Sequence, residues 1–270
     1  MIDHMIVSER LPYSNASRSW SLMPDRPLLG VRDVHVWRVS LDQPPAIAEG
    51  FCQLLSVDEQ ARAARFHFEK DRQHFIVARG CLRTILARYL EIGPREIQFT
   101  YSPYGKPELS PSTSQAQALN FNLAHSGTFA LYAFTKAGEI GVDLEYVRPE
   151  FAGDDIAQRF FSSDEVARLT ELDASVRHEA FFNCWTRKEA FIKAKGIGLS
   201  LPLDQFDVTM APGEPATLLR TRWDESEATR WSLQAIDMGP SYVAAVAVAS
   251  HDWELTFFEV DAERLSHGFP

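Results

Sequence analysis

The sequence predicts an α+β fold in two halves of the same pattern, open to a reading as two related lobes with a cleft between them, and three observations carry that prediction. Capping boxes stand at two places, Ser56-Val57-Asp58-Glu59 and Ser162-Ser163-Asp164-Glu165, and each opens a helix. A long helical stretch follows each box, about Asp71 to Leu90 and about Ser175 to Lys195, stopped by Gly93-Pro94 and by Gly196. Short, antiparallel-looking strands then follow each long helix.

Residues 1–30 are rich in Ser, Arg and Pro without a period, and read as an extension, partly disordered or draped on the surface. The first lobe is expected over 31–140. It opens on the β-branched strand Val34–Val39 and a helical stretch from Ala46 to Leu55. The long helix carries an apolar stripe of Ile76, Leu82, Ile85, Leu86 and Tyr89. A strand Ile97–Tyr101, a turn Ser102–Pro107 and a polar loop over 110–118 come next. Strands Phe121–Ala124, Phe129–Phe134 and Ile140–Glu145 follow, separated by His125-Ser126-Gly127 and by Lys136–Glu139. The second lobe is expected over 141–262, with strands near 205–210, 216–221, 231–237, 242–249 and 254–260. The crossover near 141–150 has no obvious linker.

At 270 residues, with 45% hydrophobic and 24% charged residues, the chain can bury a sizeable core, which excludes wholesale disorder. No apolar run approaches the ~18 residues of a membrane span, and the N-terminus lacks the basic start and apolar stretch of a signal peptide. Cys52, Cys81 and Cys184 are too few and too scattered for a disulfide framework or a zinc site. They read as buried free thiols in a cytoplasmic protein. The formal net charge of −10 argues against a nucleic-acid binder. Within this acidic chain, residues 61–90 hold seven cationic side chains against only Glu69 and Asp71, a local basic surface suited to a small anionic ligand.

Four motifs could carry chemistry. In Gly141-Val142-Asp143-Leu144-Glu145, the strand period puts Asp143 and Glu145 on one face, where two carboxylates repel unless a cation or a proton joins them. Mg²⁺ typically takes one or two such carboxylates plus substrate phosphates. In the second long helix, Trp185, Glu189 and Lys193 recur at i, i+4 and i+8 and share a face. Glu189 is there a third oxygen ligand or a general base, and Lys193 a cation for a phosphate. His125 stands where a strand meets a Gly-containing turn, and Lys106 lies on the constrained loop Gly105-Lys106-Pro107. Taken singly, each motif also fits a structural role.

Taken in order, the motifs resemble the 4′-phosphopantetheinyl transferases of the larger, surfactin-synthetase-activator (Sfp-like) type. The resemblance runs from about Arg62 to Val248. It rests on Tyr104–Pro107, Phe121–Gly127, Gly141–Glu145, Arg159–Ser162, Trp185-x-x-Lys188-Glu189-Ala190-x-x-Lys193 and Gly196–Leu203. It implies a pseudo-dimer of two α+β lobes with coenzyme A in the cleft. It also implies Mg²⁺-dependent transfer of the phosphopantetheine arm to a serine of an acyl or peptidyl carrier protein, with release of adenosine 3′,5′-bisphosphate. Carried over by position, Asp143, Glu145 and Glu189 match the metal acids, Glu189 the proposed base and Lys193 the residue serving the leaving phosphate. Arg79, Gly105, Lys106, Asn122 and His125 match coenzyme A contacts, His125 to the 3′-phosphate. Trp185 matches a packing residue. Many members carry serine where this chain has Ala124. The rival readings are an Mg²⁺-dependent hydrolase of coenzyme A or nucleotide pyrophosphates, and a non-catalytic module binding coenzyme A or carrier proteins. A monomer is expected, without nucleic-acid or membrane partners.

Overall fold

The computed structural model describes residues 19–113, 119–148 and 153–266. Residues 1–18 of the expected extension, 114–118 of the polar loop and 149–152 of the crossover lie outside the described residues.

The chain forms β1 (Ser21–Leu22), β2 (Asp33–Ser40), α1 (Pro45–Cys52), α2 (Val57–Ala63), α3 (Glu69–Leu90), β3 (Phe99–Tyr101), β4 (Pro107–Leu109), β5 (Asn120–Ser126) and β6 (Phe129–Thr135). It continues with β7 (Ile140–Tyr146), α4 (Asp154–Phe160), α5 (Ser163–Glu171), α6 (Ala174–Lys195), β8 (Phe206–Val208), β9 (Leu218–Thr221), β10 (Ser232–Ile236), β11 (Tyr242–Val248), β12 (Glu254–Glu259) and α7 (Ala262–Ser266). One sheet has the order β1-β12-β2-β6-β5 and another β10-β11-β7, while β3–β4 and β8–β9 are separate hairpins. The mixed α+β class is as expected, and the halves repeat element for element. In each, the first strand pairs with the last, which pairs with the one before it: β2-β6-β5 and β7-β11-β10.

A shared device explains why both halves fold alike. Glu59 closes the α2 capping box by accepting from Ser56 N (3.0 Å) and pairs with buried Arg83 of α3 (2.6 Å), which also donates to Pro94 O and Ile97 O. Glu165 accepts from Ser162 N (3.0 Å) and pairs with buried Lys188 of α6 (2.7 Å), which also donates to Leu203 O and Phe206 O. In each lobe one carboxylate therefore ties a short helix to the long one, and one cation ties the long helix to the chain entering the hairpin.

Side-chain alternation builds three cores. Trp37, Val39, Tyr132 and Phe134 face α3, and Ala245 and Ala247 face α6. Between the sheets, Val34, Val36, Leu131 and Ala133 meet Ile140, Val142, Leu144, Ala244, Val246 and Val248. Gly141 is what lets β7 approach α6. A Cβ there would overlap Ala190 O and Ala194 N, so strand and helix meet backbone to backbone. That approach brings the outward face of β7 under the polar stripe of α6.

Several expectations are corrected. The strand near 254–260 forms, but it pairs in parallel with β2 of the first sheet and not with the second half. β1 then adds in parallel to β12, and Trp20 packs on Phe257 and under Arg38. Residues 19–30 are thus draped on the first sheet, with Met23 and Leu29 buried. His125 and Ser126 belong to β5, and the turn contracts to Gly127-Thr128, where Gly127 takes φ +58°. The strand expected from Ile97 begins at Phe99, because Pro94–Glu96 form a 3₁₀ turn and Ile97 O is taken by Arg83. The short helices α4 and α7 were not anticipated. Cys81 and Cys184 are buried free thiols as expected, whereas Cys52 is half-buried. Among the described residues, no helix is long and apolar enough to cross a membrane.

Candidate active site

β7 presents Asp143 and Glu145 to α6, and α6 answers with Glu189 and Lys193. The face carrying the two acids is therefore a protein interface and not a solvated sheet face. Asp143 is buried, and its Oδ1 accepts from Lys193 Nζ at 2.5 Å. Its Oδ2 is buried without a hydrogen-bond partner. Glu145 Oε2 accepts from Ser126 Oγ (3.1 Å). The Lys193 side chain is 31% exposed and lines the cavity between the lobes, although protein packs closely around its ammonium.

The electrostatics show that the acids share one environment. Burial pushes the Asp143 carboxyl up, against the pull of Lys193. Glu145 is raised by burial and by Asp143. Glu189 is raised to about 7 by burial first, then by the charges of Asp143 and Glu145, with Lys193 opposing. Burial works against the Lys193 ammonium, yet Asp143, Glu189 and Glu145 hold its pKa above the ordinary value.

The family resemblance implies a Mg²⁺ ion on these acids. Among the described residues, no three His, Cys, Asp or Glu side chains are grouped so as to hold a metal ion. Lys193 engages one Asp143 oxygen and Ser126 one Glu145 oxygen. The donor set nevertheless fits a hard cation. It is all carboxylate, one buried oxygen lacks a partner, and burial followed by like charges raises the pKa values of Glu145 and Glu189.

Beside the acids lies a cavity of about 350 Å³ between the lobes. Arg62, Arg79, Lys106 and His125 line it from the first lobe, and Lys193 and Gly198 from the second. His125 is solvent-accessible, yet protein crowds its ring. Burial lowers its pKa, and Lys193, His74 and Arg62 lower it further by their positive charge. Arg79 is buried. Its Nε lies 3.4 Å from Glu59 Oε1, it donates to Tyr101 Oη (3.3 Å), and its Nη1 is buried without a partner. The expected basic surface is largely corrected: of the seven cations in 61–90 only Arg62 and Arg79 reach the cavity, while Arg83 and Arg88 are buried and Arg83 is neutralised by Glu59.

Two expected coenzyme A contacts have structural duties as well. Lys106 Nζ donates to Ile140 O (3.3 Å) and Ala194 O (3.2 Å), bridging the first lobe to the C-terminal turn of α6, and burial lowers its pKa. Its side chain divides the cavity from a second one of about 320 Å³. Asn122 Oδ1 accepts from Val142 N (3.0 Å), joining β5 to β7. Gly105 takes φ +82° in the β3–β4 turn, a conformation that glycine adopts without strain. Trp185 packs among Phe160, Phe161 and Phe181, and its side chain also hydrogen-bonds to Glu145, so its role goes beyond packing.

Sequence reasoning passed over Arg62 and Ser126 as site residues. Arg62 was visible only as one of seven cations. Ser126 carried no local signal, because its partners lie across the junction of two sheets.

Comparison with known proteins gives the class. Residues 44–137 match the N-terminal part of 4′-phosphopantetheinyl transferases, and residues 139–247 match the 4′-phosphopantetheinyl transferase superfamily. The chain belongs to that superfamily and is a transferase. It is 38% identical over 240 residues to the 4′-phosphopantetheinyl transferase HetI of Nostoc sp., covering 89% of this chain and 98% of HetI. It is 38% identical over 200 residues to a putative 4′-phosphopantetheinyl transferase of Synechocystis sp., covering 74% and 78% of the two chains. It is 28% identical over 232 residues to the 4′-phosphopantetheinyl transferase Sfp of Bacillus subtilis, covering 85% and 99%.

Proposed function

We propose that this protein transfers the 4′-phosphopantetheine arm of coenzyme A to a serine of an acyl or peptidyl carrier protein, with Mg²⁺ on Asp143, Glu145 and Glu189. The observation that carries the reading is the junction of that acid cluster and Lys193 with a basic cavity between the lobes. A polyanion with a pyrophosphate at one end and a 3′-phosphate at the other fits such a junction.

The serine Oγ forms a bond to the phosphorus carrying the pantetheine arm, and the bond from that phosphorus to the bridging pyrophosphate oxygen breaks. The serine proton passes to Glu189, directly or through water. In the metal-free site, burial and the neighbouring acids raise Glu189 to about 7, which makes it a stronger proton acceptor than an ordinary carboxylate. Lys193 stabilises the charge on the departing adenosine 3′,5′-bisphosphate, and its side chain lines the cavity. Mg²⁺, when bound, neutralises pyrophosphate charge that would repel the nucleophile. His125, Arg62 and Arg79 hold the nucleotide end, so positioning supplies much of the catalysis. All of these groups come from one chain, which supports a monomer as the active form.

His125→Ala is expected to raise the apparent KM for coenzyme A by about 10-fold or more, the weight of a hydrogen bond to a charged group. Steady-state kinetics with dephospho-coenzyme A, which lacks the 3′-phosphate, checks the assignment. If that substrate suffered equally, His125 would not contact the 3′-phosphate. The reading as a whole is tested by intact-mass spectrometry of several apo carrier proteins incubated with the enzyme, coenzyme A and Mg²⁺. A phosphopantetheine adduct on the carrier, lost with EDTA, is expected. Cleavage of free coenzyme A without an adduct would replace the transferase reading with a hydrolase.

A further inference from the structure

β5 and β7 lie side by side where the two sheets meet, in matching direction, yet they belong to different sheets. Two β5 side chains replace the missing ladder. Asn122 Oδ1 accepts from Val142 N (3.0 Å), and four residues on, Ser126 Oγ accepts from Tyr146 N (2.9 Å). The second stitch differs from the first, because the same hydroxyl donates to Glu145 Oε2 (3.1 Å). A hydroxyl has one proton, and this one is directed at a carboxylate.

The position of Ser126 is itself fixed. It ends β5 directly before the Gly127-Thr128 turn, and Thr128 N donates to Tyr242 Oη (3.1 Å). A Cβ at residue 127 would come within 2.5 Å of that Tyr242 oxygen, so the turn is pressed against the second lobe. Ser126 is not among the residues lining the 350 Å³ cavity.

We propose that Ser126 is a positioning residue for the metal centre. Its hydroxyl fixes the Glu145 carboxylate beside Asp143 and Glu189, and it registers the first lobe against the strand that carries two of the three acids. The inference rests on the reading of those acids as metal ligands. Partners behind a ligand orient it, and their loss typically weakens metal binding by about 10–100-fold.

The test is Mn²⁺ binding to the metal-stripped full-length protein without coenzyme A, read from the electron paramagnetic resonance signal of free Mn²⁺. Ser126→Ala is expected to raise the Kd about 10-fold, and Ser126→Thr, which keeps the hydroxyl, to restore it. Asn122→Ala breaks the sister stitch without touching a carboxylate. It should lower Tm while leaving the Mn²⁺ Kd within about twofold of wild type. Wild-type affinity in Ser126→Ala, or equal weakening in Asn122→Ala, would overturn the positioning role while leaving the metal site standing. A wild-type protein that binds no Mn²⁺, with or without coenzyme A, would remove the metal-site reading and this inference with it.

Discussion

Alanine at Asp143 or at Glu189 is expected to cut the rate of holo-carrier formation by about 10³-fold or more, with the fold intact. Asp143 is the most buried acid of the cluster, and its free Oδ2 has no other partner. Without it, Lys193 loses the group that holds its ammonium in place at 2.5 Å. Glu189 is raised to about 7 by the site, and it is the candidate base. Neither loss should unfold the protein. Lys193 is partly exposed and can turn to water, and removing Glu189 relieves repulsion among the acids. The check pairs the intact-mass assay with thermal melting. Lost transfer with an unchanged or raised Tm is the expected pattern. Near-wild-type transfer in either variant would sink the metal-site assignment.

The same carboxylates predict how stability varies with pH when the metal is stripped. Glu189 has a pKa of about 7 in the folded protein against the ordinary 4.5. Between those values the folded protein keeps a proton that the unfolded chain has released. Stability from this group therefore falls as pH rises through that window, and the full cost stands above it. Asp143 and Glu145 are raised as well and act with the same sign. Partial exposure of Glu189 moderates the size. Chelator-treated protein should melt at a lower temperature at pH 8 than at pH 5.5, with Mg²⁺ raising Tm more at pH 8. Equal protection at both pH values, or none, would mean that the acids do not gather a cation.

Much of the site was legible because its signals are local. Asp143 and Glu145 two apart on a strand, and Glu189 and Lys193 four apart on a helix, state which side chains share a face. The two capping boxes stated where helices begin, and both do begin there. What was not legible depends on distant partners. The stretch Glu254–Glu259 reads as a strand, but nothing in it specifies parallel pairing with β2, some 220 residues earlier in the chain. His125 and Ser126 resemble turn residues beside Gly127, yet pairing with β6 carries the strand through them. The roles of Ser126 and Asn122 depend on β5 meeting β7, which no spacing within either strand announces. Lys188 sits among polar neighbours in the sequence, and only the packing of α5 against α6 shows it fully buried.

Lys188→Met is expected to destabilise the second lobe by about 3–5 kcal/mol, the cost of stranding a buried charge when its partner is removed. The stranded group is Glu165, also fully buried, and its other contacts are two backbone amides, Ser162 N on Oε2 and Val208 N on Oε1 (2.9 Å), and the buried Cys184 thiol. Two amides and a thiol do not replace an ammonium at 2.7 Å. The carbonyls of Leu203 and Phe206 lose their donor in the same step. Adding Glu165→Gln removes the stranded charge and should recover part of the loss. Recovery stays incomplete, because a glutamine amide nitrogen cannot accept from either backbone N–H. Urea denaturation of the two single variants and the double variant reads the coupling directly. Lost stability in Lys188→Met with partial rescue in the double variant makes Lys188 a structural cation within a motif that otherwise carries the residues proposed for catalysis. A Lys188→Met protein as stable as wild type, but slow in transfer, would move Lys188 into the catalytic group beside Lys193.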